Sequence, residues 1–120
     1  MSFIHGDSIE SQELFPRVQV KSLTNKELGA ESLTVLEVSL PPGARVPLHT
    51  HPGHEESMII LDGEPQATLG EEVVTLKPGD AVLAPKGVKH RMVNASDRPV
   101  KLLGIFPTTV PQRKMLEEVT

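Results

Sequence analysis

The chain lacks cysteine, tryptophan and tyrosine, and these absences restrict the chemistry that it can perform. Without thiolates it forms neither disulfides nor cysteine-based zinc sites nor iron–sulfur clusters. A bound metal must therefore be held by imidazole and carboxylate groups. Because phenylalanine occurs only three times, aliphatic side chains and methionine must fill the core, and a binding pocket has no tyrosine or tryptophan on which a ligand could stack.

Basic clusters and long apolar runs are also missing. The 12 lysines and arginines are outnumbered by 16 acidic residues, which gives a net charge of −4. Nucleic-acid and anionic-membrane binding need a basic patch, so we expect neither partner. No apolar run approaches the roughly 20 residues of a membrane span, and the first residues lack the basic and apolar regions of a secretory signal. We expect one domain over residues 1–120, located in the cytoplasm, with a small molecule as its substrate.

Frequent turn residues indicate a fold of short strands. Eleven prolines and nine glycines interrupt the chain, and no window between residues 32 and 107 is long and periodic enough for a helix. The segments between the turns predict strands at 34–40, 45–50, 56–61, 64–69, 72–76, 81–84, 90–94 and 100–106. Short strands at regular spacing are typical of an antiparallel sandwich or barrel, so the predicted fold class is all-β.

Two predicted strands, 57–61 and 100–106, are apolar on both faces. A strand that faces water on one side should alternate polar and apolar residues, so a second sheet or another subunit must cover these faces. We therefore expect a homodimer. Residues 1–12 are polar and are interpreted as an N-terminal arm on which His5 is solvated. Residues 112–120 could form a helical turn or a strand that lies on a partner.

Histidine spacing supplies the functional signal. His49 and His51 stand two residues apart, so on a strand both imidazoles point to the same face. Glu55 and Glu56 open the next strand, and His90 opens a later one. If these strands adjoin in a closed sheet, three imidazoles and one carboxylate converge. Such a set suits Fe(II), Mn(II), Ni(II), Zn(II) or Cu(II), with coordination positions left for water or substrate.

Ten positions in two segments now resemble the two conserved motifs of the cupin superfamily, at residues 43–63 and 79–94. They are Gly43, His49, His51, Glu56 and Gly63 in the first motif and Gly79, Pro85, Gly87, His90 and Asn94 in the second. The spacing between the motifs is that of small single-domain microbial cupins. The glycines, Pro85 and Asn94 are interpreted as turn-forming residues without a chemical role.

The resemblance implies a cupin-type antiparallel β-barrel, also described as a double-stranded β-helix or jelly roll, with a metal at one end of its interior. It implies one divalent transition metal per chain (Fe, Mn, Ni, Zn or Cu). The ligands that it implies are His49, His51, Glu56 and His90.

The carboxylate ligand has two candidates, because some cupins have one residue fewer before their glutamate. The distance of Glu56 from Gly63 favours Glu56 over Glu55. Alternation agrees, since Glu56, Met58 and Ile60 then form one inward row.

Counting by twos extends the pocket beyond the ligands. Met58, Ile60 and Met92 are predicted to form an apolar lining for the substrate. Arg45 shares the predicted face of His49 and could hold a substrate carboxylate, or lie exposed in a proline-rich turn. His54 precedes the two glutamates and could lie at the mouth of the pocket, carry protons, or be solvated.

The resemblance implies a metal-dependent enzyme that acts on a small organic molecule. The frequency of activities within the family favours a dioxygenase-like oxidoreductase, in which Glu56 doubles as a general base. A metal-dependent isomerase or lyase, and a non-catalytic module that binds a metal or small ligand, are the alternatives. A transcription factor is disfavoured because the sequence contains neither a helix-turn-helix nor a basic stretch. A metal-free sugar-nucleotide epimerase would need the tyrosine that this chain lacks.

Overall fold

The structure, a computed structural model, describes residues 2–119. Within this range the chain forms eleven strands and one short 3-10 helix, Gly6–Ser8. The strands are β1 (Gln12–Phe15), β2 (Val18–Thr24), β3 (Thr34–Leu40), β4 (Arg45–Thr50), β5 (Glu56–Asp62), β6 (Gln66–Leu69), β7 (Glu72–Thr75), β8 (Ala81–Ala84), β9 (His90–Val93), β10 (Val100–Phe106) and β11 (Lys114–Met115).

The strands form two antiparallel sheets of a jelly-roll barrel. The larger sheet has the order β1, β2, β3, β10, β5 and β8, and the smaller sheet has the order β11, β4, β9, β6 and β7. The inward side chains of both sheets form one core, with Leu40, Ile60 and Val100 almost completely buried. The predicted all-β antiparallel class is confirmed. No helix among residues 2–119 is long and apolar enough to span a bilayer.

From residue 34 to residue 106 the predicted strands match the observed ones within two residues at each end. The prediction missed β1 and β2, which pair with each other and extend the larger sheet at its β3 edge. Residues 2–11, in the range interpreted as an arm, lie outside the strands, and His5 is exposed as expected.

The C-terminal segment contains a short strand, one of the two alternatives considered for it, and no helical turn over residues 112–119. This strand, β11, pairs with β4 of its own chain, with Lys114 opposite Thr50 and Met115 opposite His49. Contact of this segment with a partner stays a prediction. A two-residue strand carries no periodicity, so its partner could not be read from the sequence. This pairing brings the tail beside His49 at the end of β4.

The larger sheet has an apolar outer face, as expected from the two strands that are apolar on both faces. Ile59 on β5 lies opposite Leu103 on β10, and Ser57 lies between Ile105 and Leu83 in the neighbouring row. The Leu83 side chain is 57% exposed. The expectation that a second copy covers this face in a homodimer stays a prediction.

Two turn-forming residues of the motifs hold the barrel ends together. Asn94 is fully buried, and its side-chain amide donates to the carbonyl oxygens of Leu40 and Arg98 at 2.9 and 2.7 Å. The backbone N–H of Gly43 donates to the carbonyl of Asn94, whose own N–H donates to the carbonyl of Ala44. The end of the second motif is thus bonded to the start of the first.

Gly63 requires both a left-handed backbone and the absence of a side chain. Its φ is +82°, and an added Cβ would lie 2.5 Å from the carbonyl oxygen of Pro99 and 2.8 Å from Val100 Cγ2. Gly79 also has a positive φ, +94°, but nothing lies within 4 Å of its Cβ position. Substituting Gly79 by alanine therefore tests the backbone conformation alone, whereas substituting Gly63 tests the backbone conformation together with the steric contact.

We predict that Gly63→Ala destabilises the fold more than Gly79→Ala does. Left-handed backbone strain alone should cost Gly79→Ala about 1–2 kcal/mol of unfolding free energy. The backbone contact at residue 63 should add roughly 1–3 kcal/mol, because the carbonyl of Pro99 cannot move without disturbing β10. Urea unfolding followed by circular dichroism measures both losses, and equal losses would contradict the steric role of Gly63.

Candidate metal centre

Four side chains from both sheets converge inside one end of the barrel. His49 lies on β4 and His90 on β9, where the two residues face each other in the strand register. His51 follows directly after β4, and Glu56 begins β5 in the opposite sheet. All four are buried, and one donor atom from each lies within 4.8 Å of the others. Atoms bound to one ion at about 2.0–2.2 Å lie up to about 4.4 Å apart, so these four are near coordination distance.

Each imidazole is held by a backbone carbonyl through the nitrogen that faces away from the cluster. Nδ1 of His49 lies 2.7 Å from the carbonyl oxygen of Pro47, and Nδ1 of His90 lies 3.1 Å from that of Val88. Nδ1 of His51 lies 2.6 Å from the carbonyl oxygen of Gln112 in the C-terminal segment. A carbonyl can only accept, so each Nδ1 carries the proton. In the neutral rings this leaves the Nε2 lone pair free for a metal.

Glu56 completes a donor set that fits a divalent cation. Nε2 of His51 and Nε2 of His90 lie 3.0 and 3.1 Å from the same oxygen, Glu56 Oε1. In a neutral ring with its proton on Nδ1, Nε2 is an acceptor, and the Glu56 carboxylate oxygen is an acceptor as well. Two acceptors this close repel each other unless a proton or a metal ion lies between them. Three imidazoles and one carboxylate suit Zn, Fe, Mn, Ni or Cu, and the structure does not identify the metal.

The electrostatics keep two of the ligands in the state that binds metal. Burial, together with the positive charges that His90 and His51 would carry, lowers the pKa of His49 to about 4, although the Pro47 hydrogen bond opposes this. Burial alone would raise the pKa of Glu56, but hydrogen bonds that His51 and His90 donate through Nε2 when their rings carry both protons outweigh this effect and lower that pKa to about 2. At neutral pH His49 is therefore neutral and Glu56 is ionised, so neither must lose a proton to bind a metal.

An apolar cavity of about 40 Å³ opens beside the four ligands. This space holds about three water molecules. Besides the ligands, its lining residues are Leu14, Leu36, Val38, Val46, Met58, Met92, Leu102, Gly104, Phe106 and Arg113. The cavity can therefore hold only a small ligand group in this conformation.

Two of the three residues predicted to form the apolar lining do line the cavity. Met58 and Met92 line the cavity and are buried. Ile60 points inward on the same strand as Met58 but lies in the core, outside the set that lines the cavity. Glu55 is exposed and does not belong to the ligand cluster, whose carboxylate is Glu56.

Arg45 does not lie on the inner face, because β4 contains a bulge. The register with β9 shifts between Val46 and His49, so counting by twos from His49 fails across it. Val46, opposite the inward Met92, lines the cavity instead. Arg45 points outward and forms an ion pair of 3.8 Å with Glu117. The substrate-binding role considered for Arg45 thus loses its geometric basis.

His54 packs against the four-residue cluster from outside the cavity. Its ring stacks on that of His51, with the ring centres 5.0 Å apart, and its edge contacts Phe106. Its Nε2 accepts the backbone N–H of Gln112 at 3.1 Å. His54 is not among the residues that line the metal cavity, and this position makes it a support for His51.

Sequence reasoning missed two residues of the site, Gly104 and Arg113. Gly104 lies on β10, where an added Cβ would be 2.7 Å from Glu56 Oε2. The missing side chain thus makes room for the carboxylate ligand. Arg113 reaches the cavity from the tail beside β11. A glycine within an apolar strand was an available signal, but Arg113 had none because the tail contains no motif.

Comparisons with known proteins agree with this fold. The sequence model of the cupin domain family matches residues 36–106, more than half of the chain. Germin-like protein 1 of Brassica napus is 32% identical over 95 residues, which cover 75% of this chain and 46% of that protein. The chain thus spans about half the length of this curated relative.

Two solved structures share the fold. The polyketide cyclase RemF from Streptomyces resistomycificus superimposes with a TM-score of 0.87 at 18% identity, covering 98% of this chain and 87% of that one. A sugar phosphate isomerase from the cupin superfamily of Silicibacter pomeroyi gives a TM-score of 0.84 at 22% identity, covering 98% and 83%.

The fold and the buried donor set define a small β-barrel protein with a potential metal centre. The family match then places it: the chain belongs to the cupin family.

We predict that His51→Ala and His90→Ala each abolish metal retention. The wild-type protein should carry close to one transition-metal ion per chain after dialysis, and loss of one imidazole should reduce occupancy roughly tenfold or more. Inductively coupled plasma mass spectrometry measures the occupancy, and His5→Ala, which removes an exposed histidine, is the control. Full occupancy in both site variants would refute the ligand assignment.

We predict that Gly104→Ala weakens metal binding while the barrel stays folded. The added methyl group must displace the Glu56 carboxylate, which should lower metal affinity about tenfold, as other changes around metal ligands do. Competition with a chromophoric chelator measures the affinity. Gly6→Ala, with open space around its Cβ position, should leave it unchanged. Unaltered affinity in Gly104→Ala would mean that the carboxylate does not depend on this gap.

Proposed function

We propose that this protein is a metal-dependent enzyme that acts on a small organic molecule. One observation carries the proposal: three imidazoles with fixed Nδ1–H groups, together with one carboxylate, meet at the wall of an apolar cavity. Such a donor set leaves coordination positions open on a five- or six-coordinate ion, and the adjacent space would hold the ligand that fills them.

A divalent ion held here would act as a Lewis acid on an oxygen of the bound substrate. The protein's own contribution is to exclude bulk water and to fix the three imidazole rings through their Nδ1–H groups. Phe106 and the two methionines, Met58 and Met92, surround the donors with apolar groups. In such a low-dielectric site, charge that develops on the substrate interacts strongly with the ligands and the ion.

The lining favours chemistry that does not consume oxygen, such as isomerisation, decarboxylation or cyclisation. Met58 and Met92 both line the cavity, and thioethers beside a site of oxygen activation are open to sulfoxidation. The named activities of the two structural neighbours, a cyclase and an isomerase, support the view that this fold accommodates such reactions. Glu56, the candidate general base, would have to leave the ion to accept a proton, because a bound ion occupies the lone pair that a proton would take.

A dioxygenase-like oxidoreductase is the second candidate. The observation that favours it is the donor set itself, because imidazole and carboxylate ligands also bind Fe, Ni and Cu, which activate oxygen. A non-catalytic binding module is the third candidate and would need the same site without turnover.

We predict turnover that proceeds equally well in air and under argon. Protein loaded separately with Mn, Zn, Fe, Ni or Cu is incubated with 1,3-diketones, 2-hydroxy ketones, and hydroxy and oxo acids, and products are followed by proton NMR. At least one metal should support conversion under argon, and His90→Ala should abolish it. Substrate-dependent oxygen uptake would support the dioxygenase instead. Tight binding without conversion under any condition would support the binding module.

A further inference from the structure

Arg113 stands at the boundary between the metal cavity and a groove on the surface of the barrel. The groove, of about 530 Å³, runs along the N-terminal segment and the connection after β2. Three residues, Leu14, Leu36 and Arg113, line both spaces. The side chain of Arg113 can therefore contact a ligand in either space.

The guanidinium of Arg113 has unused hydrogen-bond donors. It lies 5.2 Å from the ring centre of Phe15, a favourable cation–π contact. Across residues 2–119 no acceptor lies within hydrogen-bond distance of it and no carboxylate forms an ion pair with it. Burial lowers the pKa of Arg113, and the charge of Glu56 opposes this effect. The group stays charged at neutral pH because the ordinary pKa of arginine is far higher.

A metal-loaded site would carry a net positive charge. The three imidazoles are neutral when they bind a divalent ion, and Glu56 cancels only one of its two positive charges. Arg113 is exposed to solvent on one side, and it adds a further positive charge where it lines the same apolar cavity. Uncompensated charge is costly in such surroundings, so a ligand that brings negative charge is favoured over a neutral one.

We propose that Arg113 binds the carboxylate of a small substrate and thereby sets the substrate class. The inference rests on the proposed function, since the substrate must also reach the metal centre. Its guanidinium matches a carboxylate with two parallel hydrogen bonds, which a lysine could not form. The aliphatic residues around it, among them Leu14 and Leu36, accept the apolar remainder of the molecule.

The groove narrows the class further, to singly charged acids. Glu10, Glu13 and Glu27 are exposed along it, and of all residues that line the groove or the cavity within the described chain, Arg113 is the single permanent cation. Repulsion by these carboxylates disfavours phosphorylated and other multiply charged molecules. A short carboxylate with an apolar body satisfies Arg113 while placing little charge in the groove.

The test uses the 120-residue chain loaded with Co(II), whose visible absorption reports both metal occupancy and the arrival of a ligand. Butanoate is titrated against its neutral analogue butanamide, against butylammonium and against butyl phosphate, with dissociation constants from calorimetry. Wild-type protein should bind butanoate about tenfold or more tightly than butanamide, as expected for a charge-assisted pair. Arg113→Gln should remove this preference, and Arg113→Lys should restore part of it.

Lys114→Gln is the matched control, because it removes the same charge from the next residue, which lines neither space. It should keep the butanoate preference within about twofold of wild type, since exposed charges act weakly through solvent. Circular dichroism establishes that each variant is folded. If Arg113→Gln does not fold, the butanoate preference of Arg113→Lys is compared with that of the wild type instead.

Two outcomes separate failure of the inference from failure of the proposed function. If wild-type protein binds cobalt but prefers butanamide, butylammonium or butyl phosphate, or if folded Arg113 variants keep the full butanoate preference, Arg113 does not set the substrate class and the metal proposal stands. If wild-type protein gives no cobalt spectrum that His90→Ala removes, the proposed function itself fails and the inference fails with it.

Discussion

The hydrogen bonds from three imidazole Nδ1–H groups to backbone carbonyls are the interactions on which the rest of the site depends. They fix the ring orientations and leave the Nε2 atoms of His51 and His90 facing Glu56, with His49 in the same cluster. Because the acceptors are backbone atoms, the path of the main chain sets the orientations of the three rings. A small barrel can therefore hold a metal centre with few polar residues in its interior.

An irregularity in β4 serves this arrangement. The strand bulges between Val46 and His49, and the carbonyl of Pro47 within the bulge accepts the Nδ1–H of His49. Proline has no N–H to donate to a ladder, so the strand loses little by bending there. The same bulge turns Arg45 outward to Glu117 in the C-terminal segment. One local feature thus positions His49 and also an ion pair on the outside of the barrel.

The C-terminal segment joins that ion pair to the interior. Glu117 accepts the backbone N–H of Leu48 and pairs with Arg91 at 3.0 Å, which holds the tail against β4. From this anchored position Gln112 offers the carbonyl that orients His51, and Arg113 forms part of the cavity wall. A tail of few residues thus contributes to metal geometry and to the proposed recognition of the substrate.

The sequence by itself determined the β-strands between residues 34 and 106 and the four residues of the candidate metal site, because turns, alternation and ligand spacing are local properties of the chain. It also favoured Glu56 over Glu55, through the distance from Gly63 and through alternation on β5. The burial of Glu56, Met58 and Ile60 agrees with that alternation. Only the tertiary structure decided that Val46 replaces Arg45 at the cavity, that the tail returns to β4, and that Arg113 faces the metal site. A bulge shifts register through long-range pairing, and a short strand is stable only on its partner, so neither leaves a periodic signal in the sequence.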